Sequence, residues 1–120
     1  MVLIQIYVTD ATNGGYFDVP LYGTYDVNIL NVSYHDQPVL ARPMLIQSDI
    51  LRCPNSNVQG IMFINQPHTN MTYNGGAERM VSFPNCDFNG KVLINLIDRT
   101  TNVAPVSMQY LLITLEAIKK

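Results

Sequence analysis

The stretch Tyr25-Asp26-Val27-Asn28-Ile29-Leu30-Asn31-Val32-Ser33-Tyr34 constrains this chain more than any other, because its apolar residues recur at every second position. Successive side chains of a strand point to opposite faces, so this spacing buries one face and leaves Asp26, Asn28 and Ser33 on the other. The alternation runs through Tyr25, Val27 and Ile29, slips at Leu30-Asn31, and resumes at Val32 and Tyr34. One extra residue inside an otherwise regular strand marks a β-bulge, which re-aims the side chains after it. No stretch of the chain holds a convincing helical period.

The same logic gives further strands over Val2–Thr9, Tyr16–Val19, Met44–Leu51, Ile61–Ile64, Met80–Phe83, Val92–Ile97 and Ser107–Ile118, about eight in all. Val92–Ile97 is almost continuously apolar and reads as a central strand covered on both faces, entered through a turn at Asn89-Gly90. Leu111-Leu112-Ile113-Thr114-Leu115 has a composition that a helix could share, but Tyr110, Ile113 and Thr114 favour a strand. Loops are marked by Asn13-Gly14-Gly15, Asp36-Gln37-Pro38, Pro54-Asn55-Ser56-Asn57 and Asn74-Gly75-Gly76. Short strands at this spacing predict an all-β chain, an antiparallel sandwich of two packed sheets. With no repeat or linker, residues 1–120 read as one domain.

Charge then says something about surfaces. Asp, Glu, Lys and Arg make up 13% of the residues, about half the usual ~25%. Asn, Gln, Ser and Thr supply the polar surface instead. Solvated monomer surfaces favour charge and interface cores lose it, so the composition points to a surface kept against other protein. The net charge of −2, with the basic residues scattered apart from Lys119-Lys120, excludes a nucleic-acid footprint. No apolar run reaches the ~20 residues of a membrane helix. Met1 to Tyr7 reads as a strand and not as a signal peptide, which implies synthesis in a reducing cytoplasm. Cys53 and Cys86 are then expected as free thiols; no spacing signature pairs them, although a disulfide is open to them.

Catalytic chemistry has little to work with. His35 beside Asp36 and His68 in Pro67-His68-Thr69-Asn70 both read as surface loop residues, and neither cysteine has a local nucleophile signature. Asp10, Asp18, Asp36, Asp87 and Asp98 mostly fall near strand ends, where calcium ligands could gather, but turn capping explains them equally well. Zinc spacings are missing. Asn31-Val32-Ser33 and Asn70-Met71-Thr72 match the glycosylation sequon, with Asn31 in a strand. The expectation is therefore no catalytic residue, no cofactor and no metal. Exposed aromatic residues in Gly-rich loops are the remaining candidates. Tyr16, Phe17, Tyr22 and Tyr73, with His68 in the same loop region as Tyr73, form the expected interaction set, for partner protein or for sugar.

Three blocks carry a resemblance: Gly23 to Tyr34, Leu45-Ile46-Gln47-Ser48-Asp49-Ile50-Leu51-Arg52, and Phe88 to Asp98 continuing into Leu111-Leu112-Ile113-Thr114-Leu115. In these the chain resembles the small single jelly-roll proteins that large double-stranded DNA viruses, virophages and related transposons use as pentons or minor capsid proteins. The likeness is one of rhythm over most of the chain, without a diagnostic motif. It implies a jelly-roll-like sandwich of eight strands and a virion component assembled in the host cytoplasm. Its partners would be itself, in a closed ring such as a pentamer, and other capsid proteins. A basic N-terminal arm is lacking, so genome contact is not expected. The alternative is a carbohydrate-binding β-sandwich using the same Tyr- and Asn-bearing loops.

Overall fold

A computed structural model describes residues 1–9, 15–36, 42–51, 60–65, 81–103 and 108–120. Six strands lie among them: β1 (Val2–Val8), β2 (Gly15–Asp36), β3 (Arg42–Ser48), β4 (Gly60–Asn65), β5 (Val81–Asp98) and β6 (Met108–Lys119). They form one sheet in the order β1-β6-β2-β5-β3-β4, and every neighbouring pair is antiparallel. The chain is all-β over the described residues. Among the described residues, no helix is long and apolar enough to cross a membrane.

Among the described residues, two pairs of the expected segments merge, so that eight segments fall in six strands. Tyr16–Val19 and Tyr25–Tyr34 are both part of the 22-residue β2, and Phe83 and Val92–Ile97 are both part of the 18-residue β5. Both mergers run through residues that normally punctuate strands. In β2 the pairing with β5 shifts register between Asp18 and Tyr22, around Pro20, and Gly23 takes φ +104°. In β5, Pro84 is followed by Asn85 at φ 55° and later by Gly90 at φ 92°. Asn89-Gly90 is thus a kink within a strand, not the turn that its sequence suggested: Asn89 pairs with Tyr22, and pairing resumes at Lys91 with Asp18. Glycine tolerates the positive φ, and the ladder continues on both sides of it.

The bulge lies where the alternation slips. Ile29 pairs with Leu115 and Asn31 with Thr114, which leaves Leu30 as the extra residue. Tyr25, Val27 and Ile29 before it, and Val32 and Tyr34 after it, are all buried. Of the expected Ser107–Ile118 strand, the described residues lie in β6, with Leu111, Ile113, Leu115 and Ala117 inward. Val92–Ile97 is central, with β2 on one side and β3 on the other. Its second face is only half covered, however, as Leu93, Asn95 and Ile97 are intermediate in exposure.

One face of the sheet supplies the core. Ile4, Ile6 and Val8 of β1, the inward residues of β2, β5 and β6, and Met44, Ile46 and Leu51 at β3 belong to one apolar cluster. Polar groups inside it are bonded. The buried Ser48 hydroxyl accepts from the Ile50 and Leu51 amides at 3.2 and 3.1 Å. Asp98 ends β5 as a capping residue, its carboxylate accepting from the Thr100 amide (2.9 Å) and hydroxyl (2.6 Å).

Candidate interaction surface

The expected interaction residues do not share one environment. Tyr16 and Tyr22 lie on the outward side of β2 and are 65% and 68% exposed. Both belong to the strand and not to a loop. Phe17, between them in register with Val92, is half-buried and packs on the core, so less of its ring is open to a partner. His68 and Tyr73 lie outside the described residues, as do the rest of 66–80, Cys53 and residues 10–14.

Tyr22 is held by an arrangement that its spacing did not announce. A methyl group at Gly90 would sit 2.7 Å from the Tyr22 phenolic oxygen, so the ring rests directly against that glycine. On the other side, the Lys119 ammonium donates to the Tyr22 carbonyl at 2.6 Å and lies 4.8 Å from the centroid of the Tyr25 ring. A cation over an aromatic face is attracted by the ring quadrupole. The end of β6 is fixed to the same edge by the Lys120 amide on the Thr24 carbonyl (3.0 Å) and by the Lys120–Asp26 pair at 3.4 Å. Two aspartates expected near strand ends prove to be mid-strand: Asp18 faces Lys91 across the ladder, and Asp87 accepts from Thr24 at 2.5 Å.

A second surface was not anticipated. Three cross-strand rows run over the outer face of β1, β6 and β2: Tyr7, Leu112, Ser33; then Gln5, Thr114, Asn31; then Leu3, Glu116, Asn28. Glu116 is the only charge in these rows, and it accepts from the Asn28 amide at 2.8 Å, which in turn accepts from Ser82 at 2.7 Å. His35 is not in a loop: it lies in β2, half-buried, stacked on Tyr110 at 5.7 Å, and Tyr7 lies 6.2 Å from the same ring. Leu3 and Tyr7 are 62% and 57% exposed. Their alternation with Ile4, Ile6 and Val8 was visible in the sequence, but that β1 ends the sheet was not.

Among the described residues, no three His, Cys, Asp or Glu side chains come together as a metal group would require. What the outer rows of β1, β6 and β2 offer is contact area with a single charge, Glu116. No family model, curated protein or solved structure matches the chain.

Cys86 is a free, buried thiol whose S–H donates to the Phe83 carbonyl at 3.4 Å. Burial, and then the negative charges of Asp26 and Asp87, push it up from 9.0 to about 11. The folded chain therefore keeps this proton to higher pH than the unfolded chain does. The resulting stabilisation is full below pH 9 and is lost as the pH rises through about 11. Denaturant midpoints followed across that window in a Cys53→Ser background should fall more steeply with Cys86 present than in Cys86→Ala. Parallel curves would refute the linkage.

Proposed function

We propose that this chain is a structural component of a viral particle, a penton or minor capsid protein, that works by contact and not by catalysis. The observation that carries the reading is a charge-poor exterior. With 13% charged residues overall, the chain leaves Leu3, Tyr7, Tyr16, Tyr22 and Ile118 exposed on its strands. Such side chains are enriched where protein meets protein, and they gain by leaving water. In this reading the sheet closes into a two-layered, jelly-roll-like sandwich. The full burial of Leu21, Val27, Ile29, Val32 and Tyr34 on one face supports that closure, since a face of a lone sheet stays open to water. The protein is made in the host cytoplasm, enters the virion, and uses symmetry to repeat one contact with itself and with other capsid proteins.

Light scattering coupled to size exclusion, over a wide concentration range, tests this. A discrete multiple of 13.5 kDa, five copies above all, is the expected result. A monomer at every concentration would remove the ring. The exposed tyrosines of β2 also favour a second reading, a carbohydrate-binding module. Saturable glycan binding by a monomer, lost in Tyr16→Ala and Tyr22→Ala, would put that reading first.

A further inference from the structure

We propose that two copies of this chain join through β1, edge to edge, about a two-fold axis at Gln5, making one continuous antiparallel sheet across both. The inference rests on the assembly reading above and names a contact between rings, not within one, since a ring of five closes through heterologous contacts.

β1 is the last strand of the sheet on its side, bonded to β6 alone among the described strands. An open edge presents unpaired N–H and C=O groups to any passing strand, and soluble proteins usually block it with a Lys, a Pro, a bulge or an inward charge. β1 has none of these. Its sequence Val2-Leu3-Ile4-Gln5-Ile6-Tyr7-Val8 carries no charge and no proline, and its pairing with β6 runs without a shift from Val2 with Ala117 to Val8 with Leu111. The side chains that would flank an added strand are uncovered: Leu3 at 62% and Tyr7 at 57%.

The occupant is a second copy because the strand is complementary to itself. An isologous contact requires that each residue i meet a residue j that meets i in return. Inward side chains must also stay opposite inward ones, because a one-residue slip exchanges the faces. Among registers that satisfy both, the one centred on Gln5 leaves no residue of β1 unpaired. It sets Leu3 against the partner copy's Tyr7, Ile4 against its Ile6, and Val2 against its Val8, each pair occurring twice. Only Gln5 meets itself. Its side-chain amide both donates and accepts, so it is the kind of group that can lie on a two-fold axis, where a charged side chain would face its own like. Outward, Leu3 of one copy extends the Tyr7–Tyr110–His35 row of the other.

Size sets the strength. Seven residues of edge are ~24 Å long and a sheet with its side chains is ~10 Å thick. The contact therefore covers on the order of 500 Å², well below the ~1,200–2,000 Å² of a standard stable interface. The expected association is weak for an isolated pair, and useful where an assembly repeats it.

Disulfide trapping tests the register in a Cys53→Ser background. Gln5→Cys should give a covalent dimer under mild oxidation, since directly opposed residues lie within the Cα range a disulfide needs. Leu3→Cys alone should not, whereas Leu3→Cys with Tyr7→Cys should. Without cross-linking, Gln5→Lys should raise the dimer Kd about tenfold by placing like charges together. Equal trapping of Gln5→Cys and Leu3→Cys would overturn the register. No trapping of Gln5→Cys in the concentrated pure protein would overturn the second copy as occupant, and would leave the edge to a strand from another protein. The outcomes separate from those of the assembly reading. Large assemblies that form equally well with Gln5→Lys would sink the β1 contact alone. A Gln5→Cys dimer in a protein that never exceeds two copies would support the β1 contact and sink the larger assembly.

Discussion

Gly90→Val lowers the stability of the folded chain by about 3 kcal/mol, the upper end of what a non-glycine residue costs in sparsely populated backbone regions. Gly90 is buried within β5 at φ 92°, a conformation that a β-branched residue adopts only under strain. A second effect accompanies it, because any side chain here meets the Tyr22 ring, with a methyl carbon 2.9 Å from Cζ. That contact is the cheaper of the two. Tyr22 is 68% exposed and can swing into solvent, whereas the backbone of β5 is held by ladder bonds on both sides of the kink. Urea unfolding of Gly90→Val, Tyr22→Ala and the double variant separates the two contributions. The double variant should recover only a minor part of the loss, and Gly90→Asn should cost less than Gly90→Val, because Asn tolerates positive φ. Rescue of most of the loss by Tyr22→Ala would show that the ring contact dominates.

Gly90 also marks where sequence reading stops short. An Asn-Gly pair reports that the backbone needs a positive φ, not whether the chain reverses there or only bends. Pro84-Asn85 and Pro20 to Gly23 are ambiguous in the same way, so segments that looked like separate strands are joined into β2 and β5. The inward residues were legible because burial follows alternation, and alternation survives a kink. Strand order was not. Nothing in Val2–Val8 states that β6 lies on one side and no described strand on the other, so Leu3 and Tyr7 drew no notice as surface residues. Tyr16 and Tyr22 read as exposed aromatics of a Gly-rich loop, and they are exposed but within β2. The half-buried state of Phe17 depends on which phase of β2 faces the core, and the register shift before Tyr22 obscures that phase.

The bulge gives the sharpest test of that phase. Removing Leu30 should leave stability within about 1 kcal/mol of the parent, as for changes that touch no core contact. Ile29 then stays opposite Leu115 and Asn31 opposite Thr114, so β2 becomes a regular strand with Val32 and Tyr34 still inward. Removing Ser33, three residues on, also shortens β2 by one, but the bulge must now absorb the change differently. To keep Tyr34 opposite Leu111, Asn31 has to turn inward opposite Ile113 and Val32 outward opposite Leu112. Burying an amide without a partner costs about 1–3 kcal/mol in proteins, and Val32, now fully buried, gives up about 1.5 kcal/mol on exposure. The expected loss is about 3 kcal/mol, read as a lower urea midpoint at unchanged m-value. Two deletions of equal length in one strand thus differ by a large share of the stability of a small domain. Equal losses for the two would mean that Leu30 is not the extra residue and that the two halves of β2 do not share one inward face.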